Sequence, residues 1–395
     1  MLEKSIRAFM PYPFAPVKSA PVGTLAGLTF AVKDLFDVAG YPTGGGNPHI
    51  LAMSGIRRNN SPVVQQLLDN GAQFIGKTHT NEMAFSMSGH NYHYGTPVNG
   101  AAPERIPGGS SSGSASAVSN QCCDFALGTD TGGSVRTPAS YCGLFGIRPT
   151  HGRISLDGCQ PLAESMDTCG WFARDATVFA AVGDVLLPED TVDSASPSLA
   201  IHPALFSRLP ASSQQCLLPF IDAISSTRGG VHQISAELPD VDSAYLAFRV
   251  IQGRESWQAQ GETIEREGLV LGPDVAARFA WGKQVTDSQV SEAITVREQV
   301  TQWWNEQLGN RILIMPTVPD VAPLLTTSDS EIEHIRRISH ELLSIAVLTR
   351  RPQVTIPLAT LQGAPLGLSL MGPCGSDRQL IRLAGEIYSL ARTGR

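Results

Sequence analysis

Ser134 stands behind two glycines in the run GTDTGGS, Gly128 to Ser134. With no side chains at 132 and 133 the backbone can come close to a substrate. The N–H groups of Thr131, Gly132, Gly133 and Ser134 could then point at one oxygen as an oxyanion hole. A serine hydroxyl attacks an amide carbonyl only when something removes its proton. Histidine is the usual base, but none of the nine histidines has a compelling place beside this run. Lys33 sits in the apolar run TFAVKDLF and reads as buried.

Three other patterns fit expressions for different chemistry and fail on context. GAQFIGKT, Gly71 to Thr78, matches a phosphate-binding loop letter for letter. Such a loop follows a strand and opens a helix, whereas this stretch follows a helical pattern and its interior AQFI is itself the strand. GSSSG, Gly109 to Gly113, matches a nucleophile elbow centred on Ser111, but PERIPG ahead of it is not the apolar strand an elbow requires. His90 and His93 could be drawn as a metal pair, yet no further His or Cys cluster completes a tetrahedral site, and they read as polar loop residues.

These residues need a scaffold, and the chain has enough length to build one. Its 395 residues, 42% apolar and 16% charged, fit a large globular α/β enzyme, and 38 glycines with 27 prolines imply many tight loops. A formal charge of -7 gives no basic field for nucleic acid. No apolar run is long enough to cross a bilayer, and the start lacks the apolar core of a signal peptide, so a soluble, cytoplasmic protein is expected. The seven cysteines show no CxxC spacing and are expected to be reduced and mostly buried.

A strand is expected to end near Lys33. Ser61, Pro62 and Gly71 read as cap, first-turn proline and terminal glycine of a short helix, followed by the strand AQFIGKT. Residues Gly108 to Ser119 are nearly all glycine, serine and alanine; with the strand CCDFALG behind them and the turn at 128–134 beyond, they read as a glycine-rich turn meeting a second one in space. Residues 190–310 read as a mainly helical layer. Residues 311–395 return to strands in RILIMPTVP, PQVTIPLA and PLGLSLMGP, then a helix opened by a Ser376 to Gln379 capping box. No internal repeat is present. Late strands can complete an early sheet, so one domain over 1–395 is expected.

The stretch PGGSSSGSASAVSNQCCDFALGTDTGGSVRTPASYCG from Pro107, with AVKD upstream, resembles the amidase signature family. The resemblance is clear over residues 27–175 and returns weakly at MPT and PLGLSLMG. NEMAFSMSG, NYHYGTPVN and DTCGWFARD are most similar to the compact indole-3-acetamide hydrolases. It implies an α/β fold in one large domain, a mixed twisted sheet with helices on both faces. It also implies a triad of Ser134 as nucleophile, Ser110 as bridge behind a cis Gly109–Ser110 peptide, and Lys33 as base. Ser111 would support that network, and Asp130 and Arg136 would brace the turn. Lys33 would have to be neutral at rest, its pKa lowered by roughly three units at a cost of about 4 kcal/mol. Met83, Phe85, Met87, Tyr92 and Tyr94 fall where the family's acyl pocket begins.

The implied reaction is hydrolysis of a carboxamide to carboxylate and ammonia or amine, through an acyl-enzyme. The implied substrate is a small amide such as indole-3-acetamide, with no cofactor, no metal and no membrane or nucleic-acid partner; a homodimer is compatible. Two rivals share the signature. One is the glutaminase subunit of a tRNA-dependent amidotransferase, and the other a catalytically inactive scaffold.

Overall fold

The computed structural model describes residues 6–192 and 196–393. In the first half, β1 (Thr29–Lys33), α1 (Pro48–Ser54), α2 (Pro62–Asp69), β2 (Gln73–Thr78), α3 (Ser112–Ser119), β3 (Phe125–Thr129), α4 (Arg136–Tyr141), β4 (Phe145–Arg148) and β5 (Cys169–Ala173) follow in order. Then come α5 (Ala176–Leu186), β6 (Leu199–Ile201), α6 (Pro203–Phe206), α7 (Ala211–Thr227), β7 (His232–Gln233), α8 (Val241–Arg266), α9 (Pro273–Gln284) and α10 (Asp287–Leu308). The chain closes with β8 (Ile312–Pro316), α11 (Asp329–Leu348), β9 (Gln353–Leu361), β10 (Ala364–Met371) and α12 (Asp377–Thr393).

All ten strands join one sheet in the order β2-β1-β3-β5-β4-β9-β10-β8-β6-β7. β1 runs parallel to β2 and β3, and the centre, from β3 through β5, β4, β9 and β10 to β8, is antiparallel. This is the mixed α/β architecture expected, with helices on both faces. The central strands are buried on both sides: every residue of β3, β4, β5 and β8 is buried, which is why they read as continuous apolar runs instead of alternating ones. β9 pairs with β4 and β10, so residues beyond 350 do complete a sheet begun before residue 150.

Three local expectations differ from the structure. The segment 112–119, read as turn, is the helix α3. Its small residues are there for close approach, since a β-carbon on Gly113 would stand 2.4 Å from Ala8 O and 2.5 Å from His79 N. The middle section is mainly helical, as expected, and in addition holds β6 and β7, three and two residues long, which extend the far edge of the sheet and are too short to carry a periodic signal. The Ser376 hydroxyl donates to Pro373 O, while the N–H groups of Arg378 and Gln379 at the start of α12 bond the Asp190 carboxylate, so a distant acid caps this helix. Ser61 occupies the N-cap of α2 without a side-chain cap bond.

GAQFIGKT forms the strand β2, and its lysine, Lys77, is an internal cation paired with Asp34 at 3.0 Å. Cys123, Cys142 and Cys169 are buried, Cys122, Cys159 and Cys216 half-buried, and Cys374 is exposed.

Candidate active site

β1 and β3 lie side by side in parallel and end at the same level, which brings Lys33 to Thr129. Lys33 is fully buried, and its Nζ donates to Ser110 Oγ at 2.8 Å and to Thr129 Oγ1 at 2.8 Å. Burial pulls its pKa down to about 7, opposed by the negative charge of Cys159, Asp130 and Asp167 in their ionised forms. A lysine held in this way is a competent base near neutrality.

Ser110 enters from the start of α3. The Gly109–Ser110 peptide is cis. Ser110 O accepts from Asn81 N at 3.0 Å and Thr80 Oγ1 at 3.0 Å, and a β-carbon on Gly109 would stand 1.9 Å from Asn81 Oδ1. Ser111 ties the two glycine-rich segments together. Its N–H bonds Ser134 O at 3.2 Å, and its Oγ donates to Thr129 O at 3.2 Å and accepts from Thr129 N at 3.3 Å. Lys33, Ser110, Ser111 and Ser134 thus converge from β1, α3 and the turn after β3.

Ser134, 5% exposed, ends a turn braced by Asp130. That carboxylate accepts from the N–H groups of Gly133 (3.0 Å), Val135 (3.1 Å) and Arg136 (3.3 Å), and from the Arg136 guanidinium at 3.0 and 2.8 Å. Arg148 adds a contact at 3.2 Å. Burial alone would raise the Asp130 pKa, but Arg136 and then Arg148 hold it well below the usual carboxylate range. Because Gly133 N–H is donated to Asp130, it does not face the open side of the turn. One of the four N–H groups expected to form the oxyanion hole is therefore already engaged. Gly133 has φ +122°, and its β-carbon would stand 2.5 Å from Leu343 of α11; one on Gly132 would meet Phe248 at 2.7 Å and His340 at 3.0 Å. Both glycines are required by packing as well as by conformation.

The spacing in the chain did not point to Asp167 and Thr168. Thr131 Oγ1 donates to Asp167 Oδ1 at 2.6 Å, while Asp167 Oδ2 accepts from Leu162 N at 2.8 Å and Ala163 N at 3.0 Å. Thr168 and Asp130 exchange backbone hydrogen bonds at 2.9 and 3.1 Å. Asn at 167 would turn an amide NH2 toward one or the other of these donor sets. Asp167→Asn is accordingly expected to cost about 2 kcal/mol of stability, read as a lower midpoint in denaturant with an unchanged m-value.

Three histidines near the site are packed or hydrogen-bonded. His340 is buried against Gly132 and Phe248, and burial keeps its pKa well below the ordinary value. His93 Nε2 contacts Glu82 at 2.8 Å and His90 Nδ1 contacts Thr96 Oγ1 at 3.0 Å.

Two cavities adjoin the turn. One, of about 520 Å³, is lined by Met87, Tyr92, Ile106, Thr137, Tyr141 and Ile335 together with the charged Asp274, Asp329, Glu333 and Arg336. The other, of about 410 Å³, is lined by Leu35, Ala84, Thr129, Thr131, Cys159 and Asp167. Neither of these cavities, nor a larger groove of about 1030 Å³ between α8 and α10, is lined by Lys33 or by Ser110, Ser111 or Ser134. Of the expected pocket residues, Met87 and Tyr92 line a cavity and three do not. Left-handed backbone at Met83 (φ 48°) and Ala84 (φ 59°) folds the segment back, so Met83 and Phe85 join a core cluster in which Phe85 packs on Phe279 at 5.1 Å. Tyr94 packs edge-on against His79 at 6.3 Å.

Residues 14–219, just over half of the chain, match the family model Amidase. The chain is 36% identical to Amidase 1 of Arabidopsis thaliana, over 92% of this chain and 93% of that protein. It is 30% identical to a glutamyl-tRNA(Gln) amidotransferase subunit of Methanothermobacter thermautotrophicus, over 93% and 86% of the two chains. Among solved structures, a crystal structure of an amidase superposes with a TM-score of 0.82 at 28% identity, covering 94% of this chain and 85% of that one. Family model, sequence and fold thus agree on proteins named as amidases, and the chain belongs to the amidase family as an amide-hydrolysing enzyme.

Proposed function

We propose that the enzyme hydrolyses a small aryl-acetamide such as indole-3-acetamide through an acyl-enzyme on Ser134. The observation that carries the chemistry is the 2.8 Å contact between buried Lys33 and Ser110. In this reading neutral Lys33 takes the Ser110 proton as Ser110 takes that of Ser134, and Ser134 Oγ bonds to the substrate carbonyl carbon. The N–H groups of Thr131, Gly132 and Ser134 receive the oxyanion. The proton returns through Ser110 to the nitrogen, the C–N bond breaks, and ammonia leaves. Water then attacks the ester by the same path, releasing the carboxylate and restoring the Ser134 hydroxyl.

Met87, Ile106, Tyr141, Ile332 and Ile335 in the lining of the 520 Å³ cavity support an aromatic acyl group, and Cys123, Cys142 and Cys169, buried as thiols, suit a reducing compartment such as the cytoplasm. Ammonia release assayed over a panel of amides tests the substrate. kcat/KM for indole-3-acetamide is expected to exceed that for acetamide and for glutamine by at least about 100-fold, from burial of a bicyclic ring. Preferential turnover of glutamine would replace this reading with that of an ammonia-supplying component of an amidotransferase.

A further inference from the structure

The 410 Å³ cavity shares no lining residue with the 520 Å³ one and borders a different part of the site. Its wall includes Thr129, whose Oγ1 accepts from Lys33 Nζ at 2.8 Å, and Thr131, whose N–H is expected at the oxyanion. The 520 Å³ cavity contains neither. The smaller cavity therefore lies beside the proton path. In amide cleavage the departing nitrogen takes its proton from that path, so the nitrogen and whatever it carries lie on the Lys33 side of the scissile bond.

Residues 156–162 form much of this wall and are pinned in place. Gln160 N donates to Leu35 O at 2.9 Å, Gln160 Nε2 donates to Thr43 O at 3.1 Å, and Leu162 N donates to Asp167 Oδ2 at 2.8 Å. The cavity is thus preformed. Its lining joins Leu35, Ala84, Leu156 and Leu162 to the carboxylates of Asp157, Glu164 and Asp167, and includes no basic side chain. Such a wall suits a departing amine, which becomes an ammonium ion on protonation, and disfavours the product carboxylate.

We infer that the 410 Å³ cavity receives the substituent on the amide nitrogen, so that the enzyme cleaves secondary amides of small primary amines as well as primary amides. This rests on the acyl-enzyme reading above, though not on its aryl group. Ser134 Oγ bonds to the carbonyl carbon and the C–N bond breaks. The proton given up by Ser134 passes through Ser110 to the nitrogen, and a free amine leaves in place of ammonia. The volume has room for a short alkyl chain or a single ring.

The test compares kcat/KM for the primary amide turned over best in the panel with that for its N-butyl derivative. Ammonia and an alkylamine are similar leaving groups, so the ratio reads binding of the chain. Wild type is expected to favour the N-butyl amide by about tenfold, from partial burial of the butyl group. Cys159→Trp and Leu156→Trp fill the cavity from two points of its wall. In each, the ratio is expected to fall by about 100-fold while turnover of the primary amide, which reports that the variant is folded, stays within about threefold of wild type. A measurement in wild type needs no variant: butylamine added during turnover of the primary amide should be acylated to the N-butyl amide, with saturation, because a site that releases an amine also receives one. Turnover of the N-butyl amide at less than about a tenth of the primary amide's kcat/KM, a ratio unchanged in both variants, or failure to acylate butylamine overturns the inference. Turnover of either amide that survives in Ser134→Ala overturns the acyl-enzyme reading instead.

Discussion

Ser134→Ala is expected to lower kcat by roughly 10⁴-fold or more while the protein remains folded, because it removes the atom that bonds to the substrate carbon. The fold should tolerate the change. Ser134 contributes its backbone carbonyl to Ser111 N–H, a contact alanine keeps, and the turn is held by Asp130, Arg136 and Arg148. Single-turnover kinetics with a chromogenic anilide would read the loss directly, and an unchanged near-ultraviolet circular dichroism spectrum would confirm that packing is intact. A residual rate within tenfold of wild type would mean that another group attacks.

Lys33→Met is expected to have the second-largest effect, about 10³-fold or more on kcat, with a pH signature to match. In wild type, kcat/KM should rise tenfold per pH unit at acid pH and level off above about 7, where buried Lys33 loses its proton. The sign follows from the base being active only when neutral. Stability carries an independent mark. Burial lowers the Lys33 pKa from 10.5 to about 7, so the unfolded chain binds more protons between these values and stability rises with pH across that window. Near pH 7 the cost to the native state is on the order of 5 kcal/mol. Lys33→Met lacks that cost, although it leaves Ser110 and Thr129 without their donor. Its Tm at pH 7 should therefore be at or above that of wild type, with a smaller rise on going to pH 9. A variant with a wild-type pH–rate profile would remove Lys33 from the mechanism.

The residues proposed for chemistry were legible because they sit in short runs whose composition has no ordinary packing explanation: a lysine inside TFAVKDLF, serines among glycines at 108–114, and a serine after two glycines at 132–133. What positions them was not legible, since the partners come from far along the chain. Thr131 and Asp167 are 36 positions apart, and Arg136 reaches Gln353 across 217. Nothing near DTCG announces that its aspartate will hold a threonine of another turn. Likewise the role of Gly133 N–H follows from the geometry of Asp130, which spacing alone does not specify. The core of the sheet was readable from apolar runs. The helix α3 was not, because the small residues that let it press against His79 and Ala8 are also those of a loop. The pocket residues divided for a similar reason: left-handed backbone at Met83 and Ala84 decides which of the following side chains face the cavity, and neither residue type signals it.

The central claim is that Ser134 is the nucleophile, and peptide mapping after reaction with a fluorophosphonate tests it most directly. The adduct is expected on the peptide bearing Ser134, at a rate that falls in Lys33→Met, and no adduct is expected in Ser134→Ala. Modification of Ser111, or equal labelling of wild type and Ser134→Ala, would contradict the assignment.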